Sequence, residues 1–143
     1  MVEENIRIAS ETGVNSLTDT DNMTYANIKA AIEKKIKVGC TGCAYCMPCP
    51  RGVDIPGCFR TYNESYTDTY FVGIKEYFMC TSMKNEPAMA SLCVECGKCE
   101  QHCPQGIEIR KELKNVKKRF ENPIYKLMML LKPGNIKKNK KEK

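Results

Sequence analysis

The chain has 143 residues, of which 42% are hydrophobic and 8% aromatic, with ten Cys, no Trp and a formal net charge of +6. A chain of this length suits one small domain whose hydrophobic core needs a further staple. No apolar run approaches the roughly 20 residues of a membrane-spanning helix.

The first ten residues, MVEENIRIAS, are acidic and have neither the basic start nor the apolar run of a signal peptide. A cytoplasmic location is therefore expected, and disulfides, which need an oxidising compartment, are disfavoured. Next, Leu17-Thr18-Asp19-Thr20-Asp21 reads as a capping box, with Thr18 as N-cap and Asp21 standing in for the usual Glu at N3. A helix is expected to follow to about Lys37, with Ile28, Ile32 and Ile36 recurring every four residues, and to deliver the chain into Cys40.

Two cysteine runs come next. CTGCAYCMPCP holds Cys40, Cys43, Cys46 and Cys49 before Pro50, and CVECGKCEQHCP holds Cys93, Cys96, Cys99 and Cys103 before Pro104. Three thiolates at successive two-residue gaps, with a fourth before proline, is the bacterial ferredoxin ligand pattern for a 4Fe-4S cubane. A backbone wrapped around the cubane reaches three neighbouring corners, and the fourth corner takes a ligand from elsewhere. In two-cluster ferredoxins the Cys before Pro of each run crosses to the other cluster. Here the crossing gives Cys40, Cys43, Cys46 and Cys103 for one site and Cys93, Cys96, Cys99 and Cys49 for the other. The second run keeps the full pattern, whereas only Met47 and Pro48 separate Cys46 from Cys49 in the first.

Zinc competes for the same thiolates, although its ligands usually come as separated CxxC pairs. Cys58 and Cys80 lie outside both runs and read as small, partly buried apolar side chains. Because the unfolded chain has no preformed site, metal binding adds to fold stability, and the apoprotein is expected to be largely disordered around both runs.

The 43 residues between the runs, Pro50 to Leu92, read as helical. Ile55-Pro56 suits a helix start, and Phe59, Tyr62, Asn63 and Tyr66 fall at helical spacing. Tyr70, Phe71, Ile74, Tyr77 and Phe78, at i, i+1, i+4, i+7 and i+8, extend a helical stripe that reads as core. Beyond the second run, Ile109, Leu113, Val116 and Phe120 form another stripe, ended by Asn122-Pro123. Tyr125 to Leu131 is apolar but short, and caps the core, meets a partner or rests on a membrane surface.

From Arg110 to Lys143 there are thirteen Lys and Arg against three Glu, a net of +10 that leaves −4 for residues 1–109. The terminal IKKNKKEK reads as a solvated, disordered end, with nucleic-acid binding as the competing meaning. Each cubane with four cysteinates adds about −2 in its oxidised form.

CTGCAYCMPCPRGVDIP, Phe59 with Tyr62-Asn63, and ASLCVECGKCEQHCPQGIEI together resemble the C-terminal iron–sulfur region of bacterial and archaeal aldo/keto reductase family members that append ferredoxin-type clusters to their barrel. The resemblance runs from about Leu17 to Val116 and includes the shortened gap between Cys46 and Cys49. It implies a helical ferredoxin. VEENIRIAS is also similar to the last barrel helix of those enzymes, where a Glu-Asn pair lies near the adenine end of the nicotinamide cofactor, so Glu4 and Asn5 are its counterparts. The barrel and the Asp, Tyr, Lys and His that perform hydride chemistry have no counterpart here, and the sole histidine, His102, cannot replace them. Reductase activity is not expected of this chain alone.

The expected fold is mostly α: a remnant of a barrel helix over 1–16, a helical ferredoxin-like domain with two 4Fe-4S clusters over 17–121, and a short apolar helix with a disordered basic tail over 122–143. The expected function is one-electron relay, serving or descending from an aldo/keto reductase-like oxidoreductase. A ferredoxin or flavodoxin-like protein and a separately encoded barrel are the expected partners. A structural metal module without redox chemistry is the alternative.

Overall fold

The computed structural model describes residues 1–130, which form helices and turns with no strand among them. The basic stretch from Lys132, expected to be disordered, lies outside the described residues. The chain divides into a unit Met1–Lys34 and a second unit from Lys35 onward.

In the first unit, α1 (Val2–Glu11) carries an Arg7–Glu11 ion pair one turn apart, at 2.6 Å, and buries no residue. Helix α2 (Asp19–Lys35) begins at the expected capping box. The Asp21 N–H donates to Thr18 Oγ1 at 3.2 Å, and Asp21 Oδ2 accepts from the Thr18 N–H at 2.9 Å. Asp21 thus does the work of a Glu at N3, and bonding to Thr18 holds its carboxyl below the ordinary range. The helix stops two residues short of Lys37, and Ile28, Ile32 and Ile36 are all exposed.

The second unit packs around α3 (Ile55–Thr67), α4 (Tyr70–Tyr77) and α6 (Ile109–Phe120). Helix α3 starts as expected: the Asp54 side chain accepts from the Gly57 N–H at 3.0 Å, and Pro56 sits in the first turn, where its missing N–H costs nothing. Helix α4 runs straight into a π-helical turn, Phe78–Ser82. A short α5 (Lys98–Gln101) lies within the second cysteine run. All four stripe residues of α6, Ile109, Leu113, Val116 and Phe120, are buried and meet Val53, Ile55, Phe59, Tyr62 and Tyr77 in one core. Asn122-Pro123 ends α6 as expected. It also opens α7 (Pro123–Leu130), because proline fits a first helical turn and Asn122 Oδ1 caps the Tyr125 N–H at 2.9 Å. Tyr125 is buried and caps the core, whereas Leu127 and Leu130 are exposed.

The stripe from Tyr70 needs one correction. Tyr77 is buried and Tyr70, Ile74 and Phe78 pack against the core, but Phe71 is 79% exposed. At 100° per residue the buried face centres near Tyr70 and Tyr77, which puts Phe71 at its edge. Cys58 is fully buried and burial raises its thiol pKa, while Cys80 is half-buried against Arg60 and Glu76. Both match small side chains in packed positions.

Helices α3 and α4 touch at Gly73, where an added Cβ would fall 2.4 Å from Ser65 Cβ and 2.8 Å from the Thr61 carbonyl oxygen. Neither neighbour is the free end of a flexible chain. Gly73→Ala is therefore expected to push the helices apart and cost about 1–3 kcal/mol, read as a lower midpoint in urea unfolding with the iron content followed in parallel.

Candidate metal centre

The two cysteine runs fold as a repeat that the sequence also carries, as CPRGVDI from Cys49 to Ile55 and CPQGIEI from Cys103 to Ile109. Left-handed backbone occurs at matching places: Gly42 (φ 72°) and Glu95 (φ 58°), Ala44 (φ 62°) and Gly97 (φ 76°), Gly52 (φ 74°) and Gly106 (φ 62°). Two of these, Ala44 and Glu95, carry side chains that disfavour such angles, so the turns are imposed by the surrounding structure. The first turn of each run aims an amide at sulfur. The Gly42 N–H donates to Cys40 Sγ and the Glu95 N–H to Cys93 Sγ, both at 3.4 Å. After the fourth cysteine, the Gly52 N–H returns to the Cys49 carbonyl at 2.9 Å and the Gly106 N–H to the Cys103 carbonyl at 3.1 Å. The chain then enters α3 from one run and α6 from the other.

The eight cysteines gather in two cavities, and each cavity draws on both runs. One, of about 220 Å³, is lined by Cys93, Cys96, Cys99 and Cys49, with Ile55 and Leu113 behind them and Cys46 at one side. The other, of about 20 Å³, is lined by Cys40, Cys43, Cys46 and Cys103, with Phe59 and Ile109 behind them. Ile55 corresponds to Ile109 and Leu113 to Phe59 in the repeat, so the same two positions back each set of thiols. Among the described residues no three His, Cys, Asp or Glu side chains meet as a single metal ion requires. The thiols surround a space instead.

Burial pushes the Cys46 thiol up to about 11, with Cys40, Cys99 and Cys103 adding repulsion. The Cys99 thiol is raised by burial, by the Glu100 carboxylate and by Cys93 and Cys49. Cys46 and Cys99 therefore hold their protons more tightly than a free thiol, and a metal that binds there must displace them. The donor chemistry of each set of four thiols, soft sulfur with apolar walls and N–H groups turned toward it, suits a 4Fe-4S group.

Polar side chains from the helices tie down both approaches, and the sequence reading did not anticipate them. Asn63 on α3 accepts from the Lys37 and Val38 N–H groups at 3.0 Å and donates to the Val38 carbonyl at 2.7 Å, which fixes the segment before Cys40. Before Cys93, the Ser91 N–H donates to Glu121 Oε1 at 3.0 Å, the Tyr77 hydroxyl donates to the same oxygen at 2.6 Å, and the Ala90 N–H donates to the Tyr77 hydroxyl at 2.9 Å. Asn63 lay in view as a polar residue inside an aromatic stripe. Glu121 gave no local signal, because its partners are 30 and 44 residues away. Glu4 and Asn5 lie on α1, and both are exposed.

Residues 39–108 match the family model of the 4Fe-4S dicluster domain. No curated protein and no solved structure matches the chain. The match spans all eight cysteines of the two runs and supports an iron–sulfur, ferredoxin-like region with an electron-transfer role. No helix among the described residues is long and apolar enough to cross a membrane.

Proposed function

We propose that the chain is an electron-transfer protein holding two 4Fe-4S clusters, one on Cys40, Cys43, Cys46 and Cys103 and the other on Cys93, Cys96, Cys99 and Cys49. The observation that carries this proposal is the reciprocal lining of the two cavities, in which Cys49 and Cys103 each stand with three cysteines of the opposite run. A cubane supplies reversible one-electron chemistry without bond rearrangement. The chain supplies the thiolates, amide dipoles directed at Cys40 and Cys93, and helices that keep both approaches fixed. Cys46 lines both cavities, and only Met47 and Pro48 separate it from Cys49, so a short covalent bridge joins the two sites.

The resemblance of both runs and their flanks to the iron–sulfur region of aldo/keto reductase relatives supports a role beside such an oxidoreductase. There, a pair of one-electron sites couples two-electron hydride chemistry on a separately encoded barrel to a ferredoxin or flavodoxin-like partner in the cytoplasm. Glu4 and Asn5 on α1 are then the remnant of the barrel's nicotinamide site.

Iron and acid-labile sulfide, measured on protein purified without oxygen, are expected at about eight of each per chain. Dithionite is expected to produce a paramagnetic signal from two interacting clusters. Two zinc ions, with no signal before or after dithionite, would leave a structural metal module in place of a relay.

A further inference from the structure

The repeat provides an internal control on the two cavities. Cluster potentials respond to hydrogen bonds at sulfur, solvent exposure and nearby charge. The N–H to sulfur bonds match at 3.4 Å on Cys40 and Cys93. Exposure of the thiols matches as well, with Cys43 and Cys96 exposed and the other six half-buried. Charge does not match. Among the described residues, the cavity of Cys49, Cys93, Cys96 and Cys99 is lined by Arg51, Lys98 and Arg110 and by no carboxylate, whereas the cavity of Cys40, Cys43, Cys46 and Cys103 has no charged side chain in its lining. In the repeat, Arg51 corresponds to Gln105, Arg110 to Pro56 and Lys98 to Tyr45.

Two nearby carboxylates have cations of their own. Glu100 is held by Arg110 at 2.8 Å, and Glu95 by Lys114 at 2.7 Å. Arg51 and Lys98 face no such partner among the described residues. A cation near a redox site favours the form with the extra negative charge.

We propose that Arg51 and Lys98 rank the two sites, making the one at Cys49, Cys93, Cys96 and Cys99 the more easily reduced and so the place where an electron entering the pair comes to rest. The proposal rests on the two-cluster reading above. The step moves one electron from the reduced cluster at Cys40, Cys43, Cys46 and Cys103, which is oxidised, to the oxidised cluster at the other site, which is reduced, and no proton or bond changes place. An external one-electron donor supplies the first charge. Both cations are exposed, so solvent limits their effect to a bias between the sites.

The test is a potentiometric titration of the full chain with its clusters in place, followed by paramagnetic resonance, on the parent protein, Arg51→Gln, Gln105→Arg and Arg51→Lys. The parent is expected to show two separate midpoints. Arg51→Gln is expected to lower the higher midpoint and Gln105→Arg to raise the lower one, each shifting the distribution of one electron between the sites about threefold to tenfold, where tenfold is 59 mV. Arg51→Lys should retain the parent gap. A single shared midpoint, or a gap that neither Arg51→Gln nor Gln105→Arg narrows in protein with about eight irons, would overturn the ranking alone. Four irons per chain in the parent would instead defeat the two-cluster reading beneath it.

Discussion

Cys103→Ser is expected to lower the iron content from about eight to about four per chain and to remove the magnetic interaction between clusters. Serine offers a harder, more basic oxygen in place of a thiolate, and among the described residues its cavity has no other soft donor to fill the fourth corner. The cluster lost should be the distant one. Alkylation of the native variant, mapped by mass spectrometry, should mark Cys40, Cys43 and Cys46 and spare Cys93, Cys96 and Cys99. Labelling of the second run instead would show that each run serves a cluster of its own, and the crossed assignment would be wrong.

The second large effect is expected at Phe120. Its ring is fully buried, with centroids 4.8 Å from Tyr77, 6.2 Å from Tyr70 and 6.4 Å from Tyr62. Phe120→Ala should cost about 3–5 kcal/mol, a large share of the 5–15 kcal/mol typical of a whole domain. The damage should also reach the metal sites. Glu121 follows directly and holds both the Tyr77 hydroxyl and the Ser91 N–H before Cys93, so a loosened α6 end should hasten iron loss to a chelator as well as lower the unfolding midpoint. Unchanged chelation kinetics in a clearly destabilised variant would show that the core and the second run are energetically separate.

Local chemistry made much of this structure legible. The Thr18–Asp21 box, the Ile55-Pro56 start of α3 and the α6 stripe each depend on residues within a few positions of one another, and each appears where the spacing puts it. The two cysteine runs stood out for a different reason, because the spacing of a metal-ligand run reflects the shape of the group it is built to wrap, and the 4Fe-4S dicluster family model spans both runs. Three features were hidden. Phe71 satisfied the periodicity yet sits at the rim of its stripe, since a pattern of spacings fixes a face but not its width. Asn63 and Glu121 bond to backbone far along the chain; Asn63 showed only as a polar residue inside an aromatic stripe, and Glu121 left no local trace. The CPRGVDI and CPQGIEI repeat stood in plain view, but its meaning lies in which charges differ between matching positions, and that needed the cavities.

The interleaving of the cavities has a consequence for how the protein is made. Neither set of four thiols is complete within one half of the chain: the set begun at Cys40 closes only with Cys103, and the set begun at Cys49 closes only with Cys99. On the ribosome both sites therefore become whole within the last few residues of a stretch more than sixty residues long, almost at the same moment. On the proposed ligand sets, an interrupted translation product ending before the second run would have no complete site for a cluster.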